Sequence, residues 1–123
     1  MLWELWSPTW SFDDATFAAT ARSFENPDFV AVAVHSYRHR LGTVLGDPRY
    51  AAIEEKLTAL PPIDVPTITV HGSVDGVIPI TASEHHARHF THRHEGRIFM
   101  DVGHNVPQEA PGDFAQAILD VCE

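Results

Sequence analysis

Two short segments of this chain carry side chains able to do acid–base chemistry in concert. Val70-His71-Gly72-Ser73-Val74-Asp75-Gly76-Val77-Ile78-Pro79 holds a carboxylate, Asp75, in a glycine-rich loop. Asp101-Val102-Gly103-His104-Asn105-Val106-Pro107 holds an imidazole, His104, in a second turn. Each follows a run that predicts a strand, Thr67 to Val70 and Arg97 to Val102. Neighbouring parallel strands bring their C-terminal loops together, and in open parallel sheets ligands and catalytic groups gather there. Asp75 and His104 are therefore expected to meet as a carboxylate–imidazole pair. Such a pair fixes the histidine tautomer and stabilises the imidazolium, as a general base requires.

Other reactive side chains have plainer explanations. His71, before Gly72, reads as a packing residue at a strand end. Ser73 reads as a turn residue bonding nearby backbone. Cys122 sits on a terminal helix. Trp3, Trp6 and Trp10 read as packing residues, with a pocket-lining role open for one of them. Tyr37, Arg38 and Arg40 read as helix-end residues. Five histidines, His85, His86, His89, His92 and His94, lie within ten residues. On a helix, His85, His89 and His92 share one face, and an i, i+4 pair can grip Zn²⁺ or Ni²⁺. No carboxylate completes a His-Glu-x-x-His motif, so the cluster reads as a solvated face and no metal or cofactor is assigned.

The elements that must position Asp75 and His104 follow from pattern and punctuation. Ser11 is the expected cap of a first helix carrying Phe17, Ala21 and Phe24. Asn26-Pro27 starts a second. Val30, Val32 and Val34 alternate as in a strand, but the Asn-Pro start and Arg38-His39-Arg40 before Gly42 favour helix. Asp47-Pro48 begins a third, with Tyr50, Ile53, Leu57 and Leu60 on one face, and Pro61-Pro62 stops it. Beyond the first strand, Ala82 to Thr91 reads as a helix. Ala110 to Val121 reads as a last helix, with Phe114, Ala117, Ile118 and Val121 on one face. The chain thus divides into a helical segment, residues 1–62, and a strand–helix–strand–helix segment, residues 63–123. Strands alternating with helices mean a parallel α/β sheet. Two parallel strands alone are marginal and leave an edge uncovered.

Composition narrows the function. The 123 residues are 44% hydrophobic and 20% charged, as in a folded domain. Eight Lys and Arg against seventeen Asp and Glu give a net charge of −9, which argues against nucleic acid as a partner. No apolar run approaches the ~20 residues of a membrane span, and the N-terminus lacks the pattern of a signal peptide. A single cysteine suits a reducing cytoplasm.

From Pro66 to Phe114 the chain resembles the C-terminal part of α/β-hydrolase-fold enzymes of the esterase and haloperoxidase kind. The matching pieces are the strand into His71-Gly72-Ser73-Val74-Asp75, then Val77-Ile78-Pro79, Gly103-His104, Glu109-Ala110-Pro111 and Phe114. Ser7-Pro8-Thr9-Trp10, Asn26-Pro27-Asp28-Phe29 and His35 to Arg40 resemble the lid helices of such enzymes. The resemblance implies that residues 1–62 are a lid, that Asp75 is a triad acid and that His104 is the general base. The family order, nucleophile then acid then base, is kept. No Gly-x-Ser-x-Gly elbow is present, and Gly72-Ser73-Val74-Asp75-Gly76 has its serine one place early. The expected function is therefore that of a hydrolase of small esters or related acyl compounds, with this chain supplying acid and base but no nucleophile. Either a complementary hydrolase half or a second copy is expected to cover the sheet edge. The contrasting expectation is a non-catalytic module that docks through that edge or binds metal through its histidines.

Overall fold

The computed structural model describes residues 2–123. In chain order the helices are α1 (Leu2–Trp6), α2 (Asp14–Ala21), α3 (Phe29–Arg40), α4 (Ala51–Thr58), α5 (Val106–Glu109) and α6 (Pro111–Val121). The strands β1 (Thr67–Gly72) and β2 (His94–Phe99) lie between α4 and α5. The chain forms two compact units, residues 11–60 and residues 1–10 with 61–123. The division expected at residue 62 therefore differs at the front. Residues 2–10 pack with the strands because the Trp6 carbonyl is hydrogen-bonded to the loops that follow them, as described below.

The 11–60 unit is built from capped helices. Asp13, not Ser11, caps α2: its Oδ1 accepts the Thr16 N–H at 2.8 Å and the Thr16 hydroxyl at 2.6 Å. These bonds hold the Asp13 carboxyl below its ordinary pKa. The Asn26 side chain accepts the Asp28 N–H at 2.9 Å and its carbonyl accepts the Phe29 N–H at 2.9 Å, which starts α3 two residues later than Pro27. The helical reading of the valine-rich segment holds. Its end is a Schellman motif: Gly42 at φ +70° donates to the His39 carbonyl, and Thr43 donates to that of Arg38. His39 Nε2 reaches Glu54 at 3.1 Å and links α3 to α4. Asp47 accepts the Arg49 N–H at 2.9 Å and opens the turn into α4. Leu60 ends the unit in the left-handed region, φ 48°.

In the other unit β1 and β2 pair in parallel, from Thr67 opposite His94 to Gly72 opposite Phe99. A further parallel bridge joins Ile63 to Phe90. Helices α5 and α6 pack on β1. Two expectations are corrected here. The second strand runs three residues earlier than Arg97 to Val102, because Asp101 takes φ 58° and turns the chain. The helix expected over 82–91 does not form. Two single turns of 3₁₀ helix, Ile80–Ser83 and His86–His89, stand in its place. The bridge at Ile63, which donates to the His89 carbonyl and accepts from Thr91, draws Phe90 into extended conformation. Histidine's modest helix propensity offers little resistance.

The sheet has two strands, in the order β1-β2, and stays open. Among the described residues the buried apolar side chains are Val102, Val106 and Ala117. Ile98 on β2 is 52% exposed and Ile118 on α6 is 51% exposed, so the faces meant for a core are only partly covered.

Candidate active site

The acid loop begins where β1 runs out. Gly72 is buried, and a Cβ there would overlap the Val102 and Gly103 carbonyls. Glycine thus lets the end of β1 lie directly against the turn after β2. Ser73 N–H donates to the Phe99 carbonyl at 2.9 Å and Val74 N–H to that of Val102 at 3.0 Å, which carries the pairing into the loops. Asp75 then folds back on itself: its Oδ1 accepts the N–H groups of Val77 at 2.7 Å and Ile78 at 3.0 Å. Its Oδ2 lies 2.9 Å from His104 Nδ1. The Asp75 side chain is 8% exposed. Burial pushes the Asp75 carboxyl up, but the His104 hydrogen bond and the Ile78 and Val77 amides outweigh it, and the pKa is lowered. The carboxylate is ionised at neutral pH.

His104 faces the opposite way in exposure, with 33% of its side chain accessible. A carboxylate can only accept, so Nδ1 carries the proton of the shared bond. That leaves the Nε2 lone pair for a second group, and Nε2 has no hydrogen-bond partner among the described residues. The arrangement can take up a proton at Nε2 and stabilise the resulting cation through Asp75.

The two loops are joined by a backbone atom that side-chain patterns do not reveal. The Trp6 carbonyl accepts the N–H of Gly76 and the N–H of His104, each at 3.0 Å. Thr9 adds a bond from its hydroxyl to the Asp101 carbonyl at 2.7 Å. Glycines make this approach possible: a Cβ on Gly76 would overlap the Leu5 carbonyl, and one on Gly103 would overlap Ser7. The Trp6 ring stands edge-on to His104 with centroids 5.8 Å apart. Ser7 is wholly buried and bonds Glu109, a residue singled out in the sequence only as part of a resemblance. The glycines beside the acid and the base, Gly76 and Gly103, were the one available sign that another backbone passes close by.

The other candidates fall elsewhere. His71 Nε2 donates to the Ile78 carbonyl at 3.1 Å, and Nδ1 accepts from the Ser83 hydroxyl at 2.7 Å, so both ring nitrogens are engaged in holding the loop. Ser73 Oγ accepts the Asp101 N–H at 2.9 Å, a turn role. Cys122 is exposed at the end of α6. Trp3 and Trp10 pack against one another with ring centroids 5.2 Å apart and planes tilted by 31°. Tyr37, Arg38 and Arg40 lie on the last turns of α3. Without a helix over 82–91, His85, His89 and His92 do not form a ladder. Among the described residues no group of three or more His, Cys, Asp or Glu side chains is placed to hold a metal ion. A groove of about 900 Å³ lies on the sheet, lined by Val70, His71, Ile80, His86 and Ile98 among others; Asp75 and His104 do not line it. No helix among the described residues is long and apolar enough to cross a membrane.

No curated protein matches the chain. Among solved structures, a Klebsiella pneumoniae protein provisionally named an epoxide hydrolase is similar, with 48% identity and a TM-score of 0.90. The match covers 98% of this chain and 40% of that one, so the chain spans well under half the length of that relative. It is a portion of an α/β-hydrolase-like fold, as the parallel strands and their loops suggested. The sequence profile of the serine hydrolase (FSH1) family matches residues 17–114, an interval that contains Asp75 and His104. The chain belongs to that serine hydrolase (FSH1) family.

Proposed function

We propose that Asp75 and His104 are the acid and the general base of a Ser-Asp-His triad that hydrolyses a small ester or related acyl compound. The observation that carries this reading is the 2.9 Å bond from His104 Nδ1 to a buried Asp75 carboxylate, with Nε2 left for the reacting groups. A serine beyond these 123 residues attacks the acyl carbon while Nε2 takes its proton. The tetrahedral intermediate collapses, and His104 returns the proton to the leaving alcohol. Water then attacks the acyl-enzyme, His104 again accepting a proton, and acid and free serine result. Asp75 orients the ring throughout. The chemistry calls on no metal or cofactor.

The nucleophile and the oxyanion donors belong, in this reading, to a complementary hydrolase portion that covers the open sheet edge. Residues 11–60 serve as its lid and influence which substrate enters. A reducing cytoplasm fits the single exposed Cys122.

The test is to co-express the chain with the part of the Klebsiella relative that its match leaves uncovered. The two pieces are expected to co-purify and to hydrolyse a p-nitrophenyl ester. His104→Ala is expected to remove most of that rate, while the isolated chain gives no more turnover than its own His104→Ala variant. Equal rates for the complex with and without His104 would overturn the reading. The provisional name of the relative favours one second reading, in which an aspartate nucleophile opens an epoxide and His104 activates water for the ester intermediate. Epoxide turnover with no ester turnover by the same complex selects it.

A further inference from the structure

Three consecutive peptide N–H groups around His104 are each bound outside their own turn or by one shared carboxylate. Gly103 N–H donates to Glu109 Oε2 at 2.7 Å. His104 N–H donates to the Trp6 carbonyl at 3.0 Å. Asn105 N–H donates to Glu109 Oε1 at 2.8 Å. Glu109 therefore holds the peptide that follows the histidine and, through Gly103 N–H, the one before Gly103, while the Trp6 carbonyl holds the Gly103–His104 peptide between them. Ser7, with 0% exposure, completes the arrangement. Its hydroxyl donates to Glu109 Oε1 at 2.6 Å and accepts from Asn105 Nδ2 at 3.0 Å and the Asn105 N–H at 3.4 Å.

We infer that Glu109, buttressed by Ser7, is a positioning residue that fixes the direction of the His104 side chain. A hydrogen bond weakens steeply as its angle closes. The His104 ring hangs from a Cα whose two flanking peptides set the direction of its Cα–Cβ bond. Glu109 fixes the second of these directly through Asn105 N–H and the first from one residue back through Gly103 N–H, and rotating either peptide swings Nδ1 away from Asp75 Oδ2. A carboxylate is suited to prevent this because its bonds to N–H groups are charge-assisted and its two oxygens are rigidly linked. An amide in its place keeps one oxygen, and its NH₂ group cannot accept from Gly103 or Asn105. Burial of Ser7 directs its single hydroxyl proton to Glu109, which leaves the carboxylate little freedom to turn. Glu109 acts through the backbone and need not touch substrate.

This inference rests on reading His104 as the general base, but its test needs no nucleophile. The intact 123-residue chain is labelled with ¹⁵N and its imidazole protons are followed by NMR. A downfield Nδ1–H resonance is expected, assigned to His104 by its loss in His104→Ala. In Glu109→Ala the exchange of that proton with water is expected to rise about tenfold or more, the equivalent of one charge-assisted hydrogen bond. Glu109→Gln is expected to fall between it and the wild type, and Ser7→Ala to show a smaller rise. A folded Glu109→Ala chain whose Nδ1–H exchanges within about twofold of the wild type overturns the inference, since a loop-stabilising role alone would leave that proton unmoved. Where Glu109→Ala does not fold, an unchanged Glu109→Gln does the same. Absence of the resonance from the wild type also overturns it. A protected proton in a complex that hydrolyses nothing would instead count against the catalytic role of His104 and leave the positioning of its ring standing.

Discussion

Removing the Asp75 carboxylate should destabilise the strand-bearing unit by an amount that its partners define. Asp75 accepts from Val77, Ile78 and His104. Val77 and Ile78 are 46% and 41% exposed, so in Asp75→Ala water takes over part of what they lose. The His104 bond is charge-assisted and more enclosed. Taking about 1.5–2.5 kcal/mol for that bond and about 1 kcal/mol for the two amides together, Asp75→Ala should cost about 2.5–3.5 kcal/mol. Asp75→Asn retains an oxygen for both amides and should cost about 1–2 kcal/mol. Tryptophan fluorescence in urea is the assay, because all three tryptophans lie in residues 1–10, within the unit that holds Asp75. The sign of the pH dependence follows from the lowered pKa of folded Asp75. Its contribution is complete above the unfolded value of about 3.9 and disappears as pH falls through the lower folded value. The gap between wild type and Asp75→Asn should thus be constant near neutrality and close in acid. An Asp75→Ala chain within about 0.5 kcal/mol of wild type at pH 7 would refute the reasoning.

Three further substitutions probe the frame. Gly76→Ala places a Cβ on the Leu5 carbonyl and should lower stability by about 1–3 kcal/mol, read in the same fluorescence assay; an unchanged midpoint would mean that α1 does not press on the acid loop. Ser73→Ala strips the Asp101 N–H of its acceptor and should cost about 1 kcal/mol while leaving the activity of the reconstituted complex intact; loss of turnover with normal stability would assign Ser73 a chemical role. Leu60 is 69% exposed and held at φ 48°, so Leu60→Asn should stabilise the 11–60 unit by about 0.5–1 kcal/mol, measured by far-UV circular dichroism on melting; a lower midpoint would show that the Leu60 side chain contributes more than its backbone costs.

The parts of this molecule legible in its sequence are those where local chemistry and tertiary context agree. Alternating valines suggested a strand in α3, but the Asn26 start and the basic turn before Gly42 identified the helix, and both ends formed as hydrogen-bonded motifs. Ser11 and Asp13 are both good caps, and propensity does not choose between residues two apart; the hydrogen bond to Thr16 does. In β2, Ile98, Phe99, Met100 and Val102 drew the strand toward its apolar end, whereas its register is set by pairing with β1 and by the turn at Asp101. Over 82–91 a helical spacing existed without enough propensity to resist the Ile63 bridge. Asp75 and His104 were legible as neighbours because side chains after strand ends are brought together by the sheet itself. Trp6 and Ser7 were not, because any residue has a carbonyl, and a buried serine many residues from its partner leaves no local pattern.

The Trp6 carbonyl separates two properties that usually change together. A main-chain acceptor survives every replacement of the side chain it belongs to, so the tie between the Gly76 and His104 amides is indifferent to what residue 6 is. The ring of Trp6, edge-on to His104, is the variable part. Drift or engineering at this position can therefore remodel the surroundings of the imidazole while acid and base keep their spacing. The residues that cannot drift are the glycines opposite, Gly76 and Gly103, whose missing side chains make the approach possible. Diversification of this scaffold is permitted at the tryptophan and forbidden at the glycines, the reverse of what side-chain size alone would suggest.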